Sequence, residues 1–152
     1  MIKINTKYSL ILILVVALIG GCDESGMNYQ PKGDNISGYA YFIDTNFAHG
    51  GGYYAIALFE NSPIHSVPVV VDTLNLTGAN PFYYRISYEG TNNMYASVVW
   101  MRSTGSISPL ILGTYGCDTA QHCLNAETIP FPNYTTSNYN IACWADTTRR
   151  LN

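Results

Sequence analysis

Two periodicities divide this chain. Residues 8–19 are almost uniformly apolar, too short a run to cross a bilayer comfortably, and from residue 36 onward apolar and polar positions alternate with a period of two. The alternation predicts strands. Ile36, Gly38, Ala40 and Phe42 face one way, with Tyr39, Tyr41 and Ile43 the other; after His49-Gly50-Gly51-Gly52 breaks the chain, residues 53–59 place Tyr54, Ile56 and Leu58 on one face. Residues 67–71 form a short β-branched run in which Pro68, unable to donate to a ladder, predicts an edge strand. Residues 82–102 read as a hairpin: Phe82, Tyr84, Ile86 and Tyr88 alternate with polar neighbours, Glu89-Gly90-Thr91-Asn92-Asn93 turns, and residues 94–102 are apolar on both faces, as a central strand would be. A short strand at 109–112 and a last one at 139–145, with Ile141 and Cys143 inward, complete about seven. Residues 116–137 show no sustained period and read as a long loop, a type of segment that is usually functional or disordered.

Strands that are apolar on one face must cover that face with a second sheet. The fold class expected is therefore all-β, a single two-sheet antiparallel β-sandwich spanning 36–148, between a polar tether at 22–35 and a tail at 149–152.

The apolar run acquires meaning from its flanks. Lys3 and Lys7 precede it, and Leu18-Ile19-Gly20-Gly21-Cys22 ends it where the composition turns polar. This pattern resembles the lipobox of bacterial lipoproteins, with residues 1–21 as the signal peptide. The resemblance implies cleavage before Cys22 and acylation of its thiol and amine with palmitate-type chains. At about 0.8 kcal/mol per buried methylene, several such chains hold a protein stably to a membrane. The acidic residues Asp23 and Glu24 behind the cysteine resemble the surface-export signals of some Bacteroidetes lipoproteins, and a solvated linker accounts for them equally well. The localisation expected is the bacterial cell envelope, with the outer membrane the expected site of anchoring.

Removing 21 of 152 residues leaves 131, one domain with length enough for a real core. That remainder holds five basic and ten acidic residues, a balance that argues against a nucleic-acid partner, which would need a basic stripe. With 11% charged residues, 13 Tyr and 13 Gly, the composition is that of an exported β-rich protein. Three cysteines remain beyond Cys22. Cys117 and Cys123 bracket a short polar loop and, in an oxidising compartment, are expected to pair as a disulfide, while Cys143 packs as a buried thiol. The alternative is a metal site built from Cys117, His122, Cys123 and Cys143, which lacks the close cysteine pair of known zinc spacings.

The order of parts resembles the prealbumin-like sandwich domains, transthyretin-like or carboxypeptidase-regulatory-like, of envelope proteins. Ser37-Gly38-Tyr39-Ala40-Tyr41 is similar to their opening strand, residues 53–59 to the strand after it, and Gly90-Thr91 with Tyr95-Ala96-Ser97-Val98-Val99 to their glycine-threonine-tyrosine turn and central strand. The chain departs from that pattern by inserting Asn92, Asn93 and Met94, and it lacks the aspartates that often follow. The resemblance implies a non-catalytic accessory, adhesive or binding module, with no family active site mapping onto these residues.

Catalytic signatures are correspondingly thin. His49, His65 and His122 fall in separate loops, the carboxylates fall at strand ends, and no Ser or Cys has a nucleophile motif around it. No catalytic, cofactor or metal residues are assigned, and no cofactor is expected. Tyrosine is the one excess, and β propensity with cross-strand packing accounts for much of it. Tyr115, Tyr134 and Trp144 are the aromatic residues expected at a ligand, because aromatic rings with polar tips stack on sugars or anchor protein partners. The function expected is thus an envelope-anchored binding module for a glycan or protein. Its rivals are an assembly subunit of an envelope complex and a small envelope hydrolase.

Overall fold

The computed structural model describes residues 34–63, 66–103, 108–117, 123, 126–134 and 138–149. Residues 1–21, read from sequence as a signal peptide, and Cys22, His65 and His122 lie outside them. Among the described residues eight strands form in chain order: β1 (Asn35–Phe42), β2 (Gly52–Phe59), β3 (Val70–Thr73), β4 (Phe82–Ser87), β5 (Asn93–Arg102), β6 (Leu110–Thr114), β7 (Ile129–Pro130) and β8 (Ile141–Cys143). They build two sheets, one ordered β4-β1-β8 and the other β3-β2-β5-β6 with β7 also on β5, so the protein is an all-β sandwich.

Alternation places the core where the sequence predicts it. Ile36, Ala40 and Phe42 of β1 meet Tyr54, Ile56 and Leu58 of β2, Phe82, Tyr84 and Ile86 of β4, and Met94, Val98 and Trp100 of β5 in one buried cluster. Burying each large side chain contributes roughly 1.5–3 kcal/mol, so this inter-sheet layer dominates stability. β5 is central, its residues Tyr95–Arg102 paired with the whole of β2, and β3 is an edge strand.

Three connections differ from the sequence expectation. β4 and β5 are not a hairpin: β4 pairs antiparallel with β1, β5 with β2, and residues 88–92 cross from one sheet to the other. Alternation is the same for a hairpin and an arch, because in both the apolar faces of the two strands end up buried. β8 pairs with β1 in parallel, Ala40 opposite Ile141 and Phe42 opposite Cys143, the one parallel pair among the described residues of a sandwich expected to be antiparallel. Finally, the segment read as structureless carries β7, and Ile129, Phe131 and Asn133 are buried in alternation with exposed Pro130, Pro132 and Tyr134. β7 and β6 lie in succession along the same edge of β5.

The sandwich closes tightly on the β6–β8 side. The Trp144 amide donates to the Leu112 carbonyl at 3.1 Å. A Cβ on Gly113 would lie 2.1 Å from the Ala142 carbonyl oxygen, so only glycine admits this approach. The outer face of the larger sheet carries a second apolar cluster of Ala55, Ala57, Phe59, Val99 and Ile111, against which Cys123 packs. Cys117 and Cys123 are paired as a disulfide with Cα atoms 5.6 Å apart.

Candidate functional site

One end of the inter-sheet core is built from rings. Phe42 and Phe82 reach it from the smaller sheet, Tyr54 and Trp100 from the larger, and Phe47 from the β1–β2 loop. Centroid separations are 4.9 Å for Phe42–Phe47, 5.6 Å for Phe47–Tyr54 and 4.7 Å for Tyr54–Trp100. Edge-to-face pairs of this kind fix one another's orientation. Gly52 sets the position of the indole, since a Cβ there would stand 2.8 Å from Trp100 Cε2.

Over these rings opens a cleft of about 700 Å³, walled by the β1–β2 loop and the segment after β3. Phe47, Tyr54, Leu74 and Trp100 supply apolar lining, and exposed His49, Thr73 and Asn75 stand around it with Tyr53. Among the described residues, no carboxylate, lysine or arginine lines the cleft. Asn75 accepts the Thr77 amide through Oδ1 at 3.0 Å, a local turn that fixes its side chain.

The loop wall is held by two polar side chains. The Tyr54 hydroxyl accepts the Ala48 amide at 2.8 Å and donates to the Ala145 carbonyl, tying the loop to the chain beyond β8. Asp44 accepts the Asn46 amide at 2.9 Å through one oxygen and the Ala145 amide at 3.1 Å through the other, which makes Asp44-Thr45-Asn46 a turn tied to the chain beyond β8. Burial raises the Tyr54 phenol above its ordinary range, opposed in part by the Ala48 amide and reinforced by Asp44. The ring is therefore a neutral wall at physiological pH. A comparable device holds the end of β1: the Asn80 side chain accepts the Phe42 amide at 3.0 Å and donates to its carbonyl at 2.6 Å, standing in for a strand there.

The sequence-predicted aromatic residues lie elsewhere. Tyr115 is half-buried with its ring 5.2 Å from Tyr139, and burial together with Glu127 raises its phenol. Tyr134 is 63% exposed at the end of the β7 segment. Trp144 is half-buried, with the Arg149 guanidinium 4.7 Å over its ring. None of the three lines the cleft. Cys143 is wholly buried, its thiol directed at the Tyr41 carbonyl and pushed well above its ordinary value by burial and by Asp44. It does not join the Cys117–Cys123 pair, so the four-residue metal alternative is not assembled by its described members, and no three His, Cys, Asp or Glu side chains converge among the described residues.

The residues that do line the cleft carried weak sequence signals. His49 was visible only as a loop histidine, and Trp100 only as part of a central strand. Their convergence depends on two loops meeting over one end of the sandwich. No protein family, curated protein or solved structure matches this chain.

Proposed function

We propose that this protein is a lipoprotein of the bacterial cell envelope, acylated on Cys22, whose prealbumin-like sandwich is a non-catalytic module that binds glycans in the aromatic cleft. The observation that carries the binding reading is the cleft's composition. Rings of Phe47, Tyr54 and Trp100 lie beneath uncharged hydrogen-bonding groups of Thr73 and Asn75, with His49 beside them. Sugar rings present both an apolar face and neutral hydroxyls, and a lining without carboxylates, lysines or arginines matches a ligand that brings no charge to be compensated. The anchoring reading rests on the apolar run, its lysines and Leu18-Ile19-Gly20-Gly21-Cys22.

A glycan array probed with the full mature chain, followed by calorimetric titration of the hits, tests the binding. Asn75→Ala and His49→Ala remove exposed groups. Each is expected to weaken binding about fivefold, the equivalent of one net hydrogen bond of about 1 kcal/mol; His49→Ala should leave thermal unfolding unaltered, while Asn75→Ala also gives up the Thr77 amide's acceptor. An empty array, or hits whose affinity ignores both substitutions, overturns the glycan reading. Cys22→Ser tests the anchor: loss of fatty-acid labelling and of membrane fractionation is expected, and unchanged fractionation refutes it.

A further inference from the structure

The outer face of the smaller sheet takes no part in the cleft. Alternation on β1 and β4 turns Tyr39, Tyr41, Tyr83 and Arg85 away from the core, and Ile43 continues the same side past the end of β1. Tyr39 and Tyr83 are register partners with ring centroids 5.6 Å apart, and Tyr41 lies 6.4 Å from Tyr39, so the three rings form one contiguous group. Tyr41, Ile43 and Tyr83 remain 41%, 46% and 54% exposed. Polar groups secure the strand beneath them, as where Asn140 accepts the Tyr39 amide at 3.0 Å.

We propose that this tyrosine face rests on the lipid headgroup surface of the membrane that carries the anchor, orienting the sandwich with its three-stranded sheet toward the bilayer. The proposal rests on the lipidation of Cys22. Three observations select a membrane as the occupant. β1 is the first strand after the anchor, and the 12 residues from Asp23 to Asp34 extend at most about 40 Å, which brings β1 within reach of the surface that holds Cys22. The side chains are of the interfacial kind: tyrosines with an apolar body and a polar tip, plus one isoleucine. Charge agrees as well, because the chain is acidic overall and yet the outward positions of β1 and β4 hold no carboxylate and present Arg85. An anionic headgroup layer would be repelled by most of this protein's surface and admitted by this face. A second, weak membrane contact of this sort adds to acyl chains already inserted, as paired membrane signals do.

The test uses the full lipidated chain on vesicles of phosphatidylethanolamine and phosphatidylglycerol, with hydroxyl-radical footprinting read by mass spectrometry and flotation run in parallel. Oxidation of Tyr39, Tyr41 and Tyr83 is expected to fall at least about fivefold relative to the unlipidated Cys22→Ser chain in solution, while Tyr134 oxidises equally in both. Arg85→Glu, an exposed change that leaves the core untouched, is expected to restore much of that oxidation without loss of flotation. A chain that floats with its three tyrosines fully oxidised overturns the proposal and leaves the anchor standing. A chain that does not float overturns both. Protection of the same tyrosines without vesicles, growing with protein concentration, identifies a second copy as the occupant and likewise overturns it.

Discussion

Removing one oxygen from Tyr54 should loosen the cleft and the fold together. The hydroxyl serves two backbone groups, accepting from the Ala48 amide and donating to the Ala145 carbonyl. In Tyr54→Phe the ring and its contacts with Phe42, Phe47 and Trp100 persist, so no cavity forms, and the effect isolates the two hydrogen bonds. Ala145 is fully buried, and its carbonyl left without a donor costs about 1–3 kcal/mol; the half-buried Ala48 amide reaches water and costs about 0.5–1 kcal/mol. The sum is about 1.5–4 kcal/mol. At about 4 °C per kcal/mol for a domain of this size, the melting temperature should drop by about 6–16 °C. Thermal unfolding followed by near-ultraviolet circular dichroism measures it. Tyr84→Phe is the internal comparison, because that hydroxyl serves a single partner, the Tyr139 carbonyl, and should cost less by the Ala48 share of about 0.5–1 kcal/mol. Ligand affinity should fall in Tyr54→Phe and hold in Tyr84→Phe, since only the first releases the loop carrying Phe47 and His49. A Tyr54→Phe melting temperature within about 2 °C of the parent, or equal costs for both variants, would refute the reasoning.

Other outcomes follow from the same geometry. Gly113→Ala forces a Cβ to 2.1 Å from the Ala142 carbonyl oxygen, and the backbone must move; a loss of about 2 kcal/mol or more in denaturant unfolding is expected. Replacing Cys117 and Cys123 together by Ser opens a short loop and should cost about 2 kcal/mol by the same measurement. In the folded chain Cys143 should resist alkylation, and it should become reactive in denaturant, as mass spectrometry would read. Burial raises the Tyr54, Tyr84 and Cys143 values in the folded state, so their contribution is complete at neutral pH and is lost as pH climbs past about 9 to 10, where the unfolded chain releases these protons first. Stability measured from pH 7 to 11 should decline from that point, and a flat profile would contradict it.

The strand faces were legible because one buried side per strand leaves a period of two: Ile36 to Phe42 and Phe82 to Ile86 lie as their alternation predicts. Pairing was not legible. Nothing in the five residues after β4 distinguishes a return beside it from an arch to the other sheet, and nothing around Ile141 announces a parallel partner a hundred residues earlier. β7 was hidden by Pro130 and Pro132, which read as breakers yet sit on the exposed side, leaving Ile129 and Phe131 to enter the core. The cleft was hidden for a different reason. Phe47, Asn75 and Trp100 come from three separate parts of the chain, each unremarkable alone, and tertiary contact makes them a site. Tyr115 and Trp144 stand out in sequence as loop or rim aromatics, but Tyr139 and Arg149 already occupy their faces.

The position of β1 between β4 and β8 dictates when the molecule can assemble. Ile36 finds Ile86 fifty residues later, and Ala40 finds Ile141 only after a further stretch as long again, so the smaller sheet lacks its third strand until residues 141–143 are present. A polypeptide that emerges amino-terminus first therefore completes its smaller sheet only once residues 141–143 have appeared. β1, though made early, is among the last strands to gain both of its neighbours.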